Sequence, residues 1–171
     1  MADLKLAARM SRMEASGIRK IFDLARTVKN PVNFSIGQPH YDVPDFVKDA
    51  AITAIRQGKN AYTPTQGAPE LREALLKAYG GKYGPEELIV TSGVSGTLTL
   101  ALLALLDPGD EIVMPDPYFV AYKQLTLLCG ATPVYVDTYP TFQLDPDALE
   151  KKITPRTKAI LFSSPSNPCG V

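Results

Sequence analysis

Three short stretches carry residue types that could do chemistry together: Ser92-Gly93-Val94-Ser95-Gly96, Asp116-Pro117-Tyr118-Phe119 and Pro165-Ser166-Asn167-Pro168. The first mixes glycine and serine just ahead of an apolar helical run. A helix start offers free N–H groups and the positive end of its dipole, and the Ser92 and Ser95 hydroxyls can donate as well, so it suits a phosphate. The same residues also make an ordinary serine cap. The second stretch offers a flat apolar face, Phe119 or Tyr118, which could stack on an aromatic ring or pack into the core. The third holds the Asn167 amide, donor and acceptor at once, between two prolines, in what is otherwise a turn signal. A phosphate cradle, a ring face and a fixed amide on one edge describe a site for a phosphorylated planar ring.

The elements that must position them follow from patterning. Residues 1–29 read as helix, with Ile18, Ile21, Phe22, Ala25 and Val28 at helical spacing, Ser16 as cap and Pro31 as stop. VNFSIGQPHYDVP is extended. Pro44 opens a helix to about Gln57, with Gly58 as its C′ residue, and Pro69 opens another, closed by Gly80-Gly81. The rhythm then alternates. ELIVT (87–91), EIVMP (111–115), TPVYVDT (132–138) and KAILFSS (158–164) read as strands. SGVSGTLTLALLALL, YFVAYKQLTLLCG and DPDALEKKI read as the helices between them. Alternation of this kind predicts βαβ units and a mainly parallel sheet, whose strand-to-helix loops all leave one edge, where ligands bind.

Composition removes other chemistries. The 171 residues hold 18 Lys and Arg against 18 Asp and Glu, which disfavours a nucleic-acid arm or a disordered tail. With His40 alone and Cys129 and Cys169 as the cysteines, neither a Cys/His zinc site nor a disulfide framework is expected, and a Ser-His-Asp mechanism would have to use His40. His40 reads as a solvent-facing loop residue. No signal-peptide core fits the first 15 residues, and the nearly apolar run Leu98 to Leu106 is too short to span a bilayer. That run is apolar all round the helix, so it calls for cover on every side, more than four strands and the remaining helices supply. The chain stops at Gly170-Val171, where a connection to a further helix is expected, and so reads as the first part of a longer one.

The ordered blocks resemble those of the class I (fold-type I) pyridoxal 5′-phosphate (PLP)-dependent aminotransferases over essentially the whole chain. FSIGQPHYDVP is similar to the family's G-x-P-x-F-x-x-P segment and AYTPTQGAPELREAL to its Y-x-P-x-x-G-x-x-x-L-R-x-A block. VTSGVSGTL, DPGDEIVMPDPYFVAY and ITPRTKAILFSSPSNPCG follow in the expected order. The resemblance implies a three-layer α/β/α PLP-transferase large domain with a mainly parallel sheet, incomplete in this chain. Residues 1–44 would be an N-terminal arm, helix and substrate-side segment making small-domain and dimer contacts, and residues 45–171 the first part of the large domain.

Roles follow by matching positions. Gly93, Val94 and Ser95 would bind the PLP phosphate, Phe119 would stack on the ring with Tyr118 as fallback, and Asn167 would bond the ring's 3-oxygen and help hold the substrate carboxylate. Gly37 would line the carboxylate site. Tyr62 would reach the cofactor of a partner subunit, which implies a homodimer with residues 1–15 as an arm on the partner. Asp116-Pro117 and Asn167-Pro168 match positions where the family often has cis peptide bonds. Cys169 stands where the family usually has threonine. The Schiff-base lysine, the pyridine-facing aspartate and the carboxylate-binding arginine would lie beyond Val171, and no catalytic residue is assigned here. The intact protein is thus expected to move amino groups between amino acids and 2-oxo acids in the cytoplasm, with no nucleic-acid or membrane partner and the 171-residue chain inactive alone. The same blocks are shared by C–S lyases and aminocyclopropane-carboxylate-synthase-like enzymes, and a non-catalytic aminotransferase-like regulatory domain or fragment is the other alternative.

Overall fold

A computed structural model of the chain describes residues 5–13, 17, 21, 24–32, 37 and 39–171. The helix predicted over residues 1–29 lies partly outside these, as does its Ser16 cap; within them Ala8–Arg12 forms a 3-10 turn. The chain divides into two compact units, Met1–Ser16 with Ser92–Val171, and Gly17–Thr91.

The second of these units carries α1 (Asp45–Arg56) and α2 (Pro69–Ala78). Prolines stand at both helix starts, where a missing N–H costs nothing because the first helical N–H groups lack intrahelical partners. Lys48 reaches back to Asp42 (2.6 Å) and Asp45 (3.2 Å). Its ammonium, with the Val43 N–H, holds the Asp42 carboxyl below the usual carboxylate range. ELIVT (87–91) is not a strand: Pro85–Glu87 makes a 3-10 turn and the rest runs outside any ladder. A β-prone run becomes a strand only against a paired neighbour, and here Val90 N–H donates instead to the Gln66 carbonyl at 2.9 Å. That crossing requires Gly67. Its φ is +108°, and a Cβ there would lie 2.7 Å from the Val90 side chain.

The first-named unit holds the sheet. Helix α3 (Gly93–Leu105) is followed by β1 (Glu111–Asp116), α4 (Ala121–Leu128), β2 (Thr132–Asp137), α5 (Pro146–Glu150) and β3 (Thr157–Ile160). All pairings are parallel, in the order β2-β1-β3, with Glu111 opposite both Thr132 and Thr157. β1 is central, and its continuous apolar run suits a strand covered on both faces. Ile112, Val113 and Met114 are fully buried, each contributing roughly 1.5–3 kcal/mol relative to exposure. Leu102, Leu106, Tyr122 and Ala131 close around Ile112 and Met114. Of the leucines in α3, Leu102 alone is buried, while Leu100, Leu103 and Leu105 are exposed. The predicted cover is thus present on one side of the helix. The N-terminal 3-10 turn packs on α4, where Arg12 Nη2 donates to the Leu127 carbonyl at 3.4 Å.

At the amino edge of the sheet sits a polar knot. Glu111, buried at the start of β1, accepts from Thr154 Oγ1 (2.6 Å) and from the Arg156 guanidinium, its Nε at 2.9 Å. The Thr154 hydroxyl first, and Arg156 with it, hold its carboxyl below the usual range, against the opposing pull of burial. This knot fixes the turn before β3 and lies away from the edge where the loops described next emerge.

Candidate functional site

The carboxyl ends of β1 and β3 feed the second and third stretches singled out above. Since β2 and β3 flank β1 on opposite sides, the strand order reverses across β1, and right-handed crossovers put α4 and α5 on opposite faces. Sheets of this kind bind ligands in the crevice outside the carboxyl ends at such a reversal. A crevice of about 210 Å³ is found there, between Pro115 and Pro117 at the end of β1 and Phe162, Ser163 and Ser164 after β3, with Phe142 on its rim. A larger open cavity of about 530 Å³ lies on the β2 side, lined by Asp116, Tyr135, Asp137, Tyr139 and Lys152 among others. Neither cavity is lined by Gly93, Ser95, Phe119 or Asn167.

α3 presents its start toward the same edge. Its last turn leads through the tight turn at Asp107–Asp110 directly into β1, so helix and strand run in opposite senses, and Leu98 packs on the cluster that Phe119 also touches. Gly93 stands at φ +68° with no heavy atom near a would-be Cβ, so glycine is there for its backbone. Ser92 makes no side-chain cap bond, in contrast to the ordinary-cap alternative. Val94 and Ser95, exposed in the first turn, have no helical acceptors for their N–H groups. An anion of phosphate size fits this start, because donors, dipole and open space coincide.

The aromatic pair is divided. Tyr118 stacks on Tyr135 of β2, ring centroids 5.1 Å apart and planes within 17°, the two hydroxyls at 3.5 Å. Phe119 is half-buried, its ring edge-on to Tyr122 at 5.7 Å. Tyr118 is therefore committed to the protein, and Phe119 is the ring left at the loop. Asn167 is exposed, its N–H donating to Ser163 Oγ at 3.0 Å, and Gly170 N–H to the Ser166 carbonyl at 2.7 Å tightens the same loop. The Asp116-Pro117 and Asn167-Pro168 bonds are both cis, as the resemblance implies, and Tyr139-Pro140 and Ser164-Pro165 are cis as well.

In the other unit, Gly37 is exposed and a Cβ on it would meet nothing within 4 Å. Tyr62 is fully exposed. His40 is exposed, edge-on to Tyr41 at 5.5 Å, as expected of a loop histidine. Cys129 and Cys169 are both free and partly buried, and burial pushes the Cys129 thiol up.

Sequence reasoning passed over Thr138. It is buried one residue past β2, its N–H and hydroxyl both on the Asp116 carbonyl at 3.2 and 2.8 Å. The available signal was a threonine closing a strand-like run, which reads as β propensity alone.

A parallel sheet with α3 and α4 packed beside it, a glycine-led helix start and an Asn-Pro loop together define a PLP-transferase type of α/β fold, of which part is present. The family of class I and II aminotransferases matches residues 29–171, and the chain belongs to that family. It is 40% identical to a probable aspartate/prephenate aminotransferase of Aquifex aeolicus, over 96% of this chain and 44% of that protein. It is 42% identical to the aspartate/prephenate aminotransferase of Thermus thermophilus, over 88% of this chain and 41% of that one. The crystal structure of the aspartate aminotransferase from Rhizobium meliloti superposes with a TM-score of 0.91 at 36% identity, covering 97% of this chain and 44% of that chain. The chain thus spans less than half the length of the relatives it matches. Among the described residues, no helix is long and apolar enough to cross a membrane.

Proposed function

We propose that these residues form the cofactor-holding part of a PLP-dependent aminotransferase, which as a whole moves an amino group between an L-amino acid and a 2-oxo acid. One observation carries this reading: a helix start at Gly93–Ser95 with no side-chain cap from Ser92 and with Val94 and Ser95 exposed, directed to the sheet edge from which the Phe119 and Asn167 loops also leave. Bound there, PLP supplies an electron sink for the substrate's Cα electrons. The residues of this chain hold and orient it. The Val94 and Ser95 N–H groups and the Ser95 hydroxyl bind the phosphate. Phe119 covers a ring face, and Asn167 donates to the ring's 3-oxygen and to the substrate carboxylate. Gly37 leaves room for that carboxylate because it carries no side chain to intrude. Tyr62, wholly exposed, reaches the phosphate in a partner subunit and makes the assembly a homodimer. Residues 1–44 serve as arm and substrate-side segment and residues 45–171 as the first part of the large domain. Two free cysteines support a reducing, cytoplasmic setting.

The names of the relatives make aspartate the first amino donor to test, and prephenate the first acceptor. The experiment is a PLP titration of the full-length protein, followed by transfer assays with those substrates. Ser95→Ala is expected to weaken PLP about tenfold, the worth of one charge-assisted hydrogen bond. Asn167→Ala is expected to shift the absorbance of the bound cofactor. The reading fails if the protein shows no saturable PLP binding, or if both variants bind as the unsubstituted protein does.

A further inference from the structure

Thr138, one residue past β2, has all of its polar groups engaged. Its N–H and its hydroxyl both donate to the Asp116 carbonyl, at 3.2 and 2.8 Å. Its own carbonyl accepts from Phe142 N–H at 2.7 Å. Phe142 is held at φ +60°, a conformation that non-glycine residues rarely adopt, and it lines the crevice with Pro117. Thr138 is 5% exposed, so the hydroxyl bond is screened from competing water.

The Asp116 carbonyl is the last acceptor of β1 before the loop that carries Phe119. Pro117 follows, with no N–H to extend the ladder. From there to Phe119 the loop is fixed by the Tyr118–Tyr135 stack on one side and the Phe119–Tyr122 edge contact on the other. The stack carries a long hydroxyl contact at 3.5 Å, and the Phe119 carbonyl accepts from Tyr122 N–H at 2.9 Å, both beyond Pro117; the doubled bond to the Asp116 carbonyl sets the direction in which the chain leaves the strand. A parallel ladder supplies the N–H bond without any side chain. The hydroxyl is the extra element, and only serine or threonine could provide it there without added length.

We propose that Thr138 is a positioning residue for the ring face of the site: by clamping the Asp116 carbonyl through its hydroxyl, it fixes the Pro117–Phe119 loop so that Phe119 is presented to the cofactor ring. The ring-facing part of this role rests on the PLP reading given above.

The test compares the full-length protein with Thr138→Val, which keeps the shape and loses the hydroxyl, and Thr138→Ser, which keeps the hydroxyl. Amide hydrogen exchange without cofactor reads the loop directly. In Thr138→Val, exchange at the residue-138 and Tyr122 N–H groups, which donate to the Asp116 and Phe119 carbonyls, is expected to rise about fivefold to tenfold while Ile112–Met114 stays unchanged, and PLP affinity is expected to fall by a similar factor. Thr138→Ser is expected to restore both. Unchanged loop exchange or unchanged PLP affinity in Thr138→Val overturns the proposal. So does a rise spread evenly over β1, which would mark general loosening, or a serine variant that rescues neither measure. If the unsubstituted protein itself shows no saturable PLP binding, the functional reading fails and the ring-positioning role with it; if it binds and Thr138→Val binds equally well, the positioning role alone fails.

Discussion

At the scale of single residues, a buried charge stabilises the amino edge of the sheet, while the candidate residues Ser95, Phe119 and Asn167 are neutral. That charge is Glu111. Its carboxyl is held below the usual range by Thr154 and Arg156, so its contribution to stability is fully present above the unfolded value, about 4.3, and is lost as pH falls through its lower folded value. Glu111→Gln is expected to lower the melting temperature at neutral pH. The gap from the unsubstituted protein should begin to close as pH falls below about 4.3 and vanish only below the lower folded value, where both lack the charge. Melts at several pH values check this; a gap that stays constant or widens in acid would refute it. Ser95, Phe119 and Asn167 could be picked out from the sequence because their types and spacing carry chemical meaning on their own. Thr138 could not, because its hydroxyl matters only through a carbonyl 22 positions earlier in the chain.

At the scale of elements, the reading of βαβ rhythm held for three strands and for the helices between them, with boundaries trimmed at the ends. It failed at ELIVT, where β propensity found no ladder, and the backbone of Val90 paired with Gln66 instead. Propensity is local, and strand formation is not. The Gly67 crossing that allows this contact is exacting. Gly67→Ala is expected to destabilise the Gly17–Thr91 unit by about 1–3 kcal/mol, from overpacking against Val90 and a strained φ, measured by denaturant unfolding of dilute protein. In α3 the sequence predicts burial all round, but one stripe is packed. Leu102→Ala should therefore cost about 2–5 kcal/mol, the range for emptying a packed leucine site. An unchanged unfolding midpoint in either variant would contradict these packing assignments.

At the scale of the whole molecule, many large apolar side chains are exposed among the described residues. Val94, Leu100, Leu103 and Leu105 on α3, Phe46 and Ile55 on α1 and Phe162 after β3 are all exposed, and the outer edges of β2 and β3 make no further pairing among the described residues. The 171-residue chain by itself is expected to self-associate as its concentration rises, through these faces and edges. Light scattering checks it, and a monodisperse monomer across a wide concentration range would count against it. The sequence by itself determined the family, the alternation of elements, the helix start at Gly93 and the loops that carry Phe119 and Asn167, because each is a property of residue type and local spacing. Only the tertiary structure decided which candidate aromatic is spent on Tyr135, which stripe of the leucine helix is covered, why ELIVT stays out of the sheet, and how Thr138 holds the strand end. These depend on pairings between distant segments, whose free energy comes from mutual burial and shared hydrogen bonds and is not written in either segment alone.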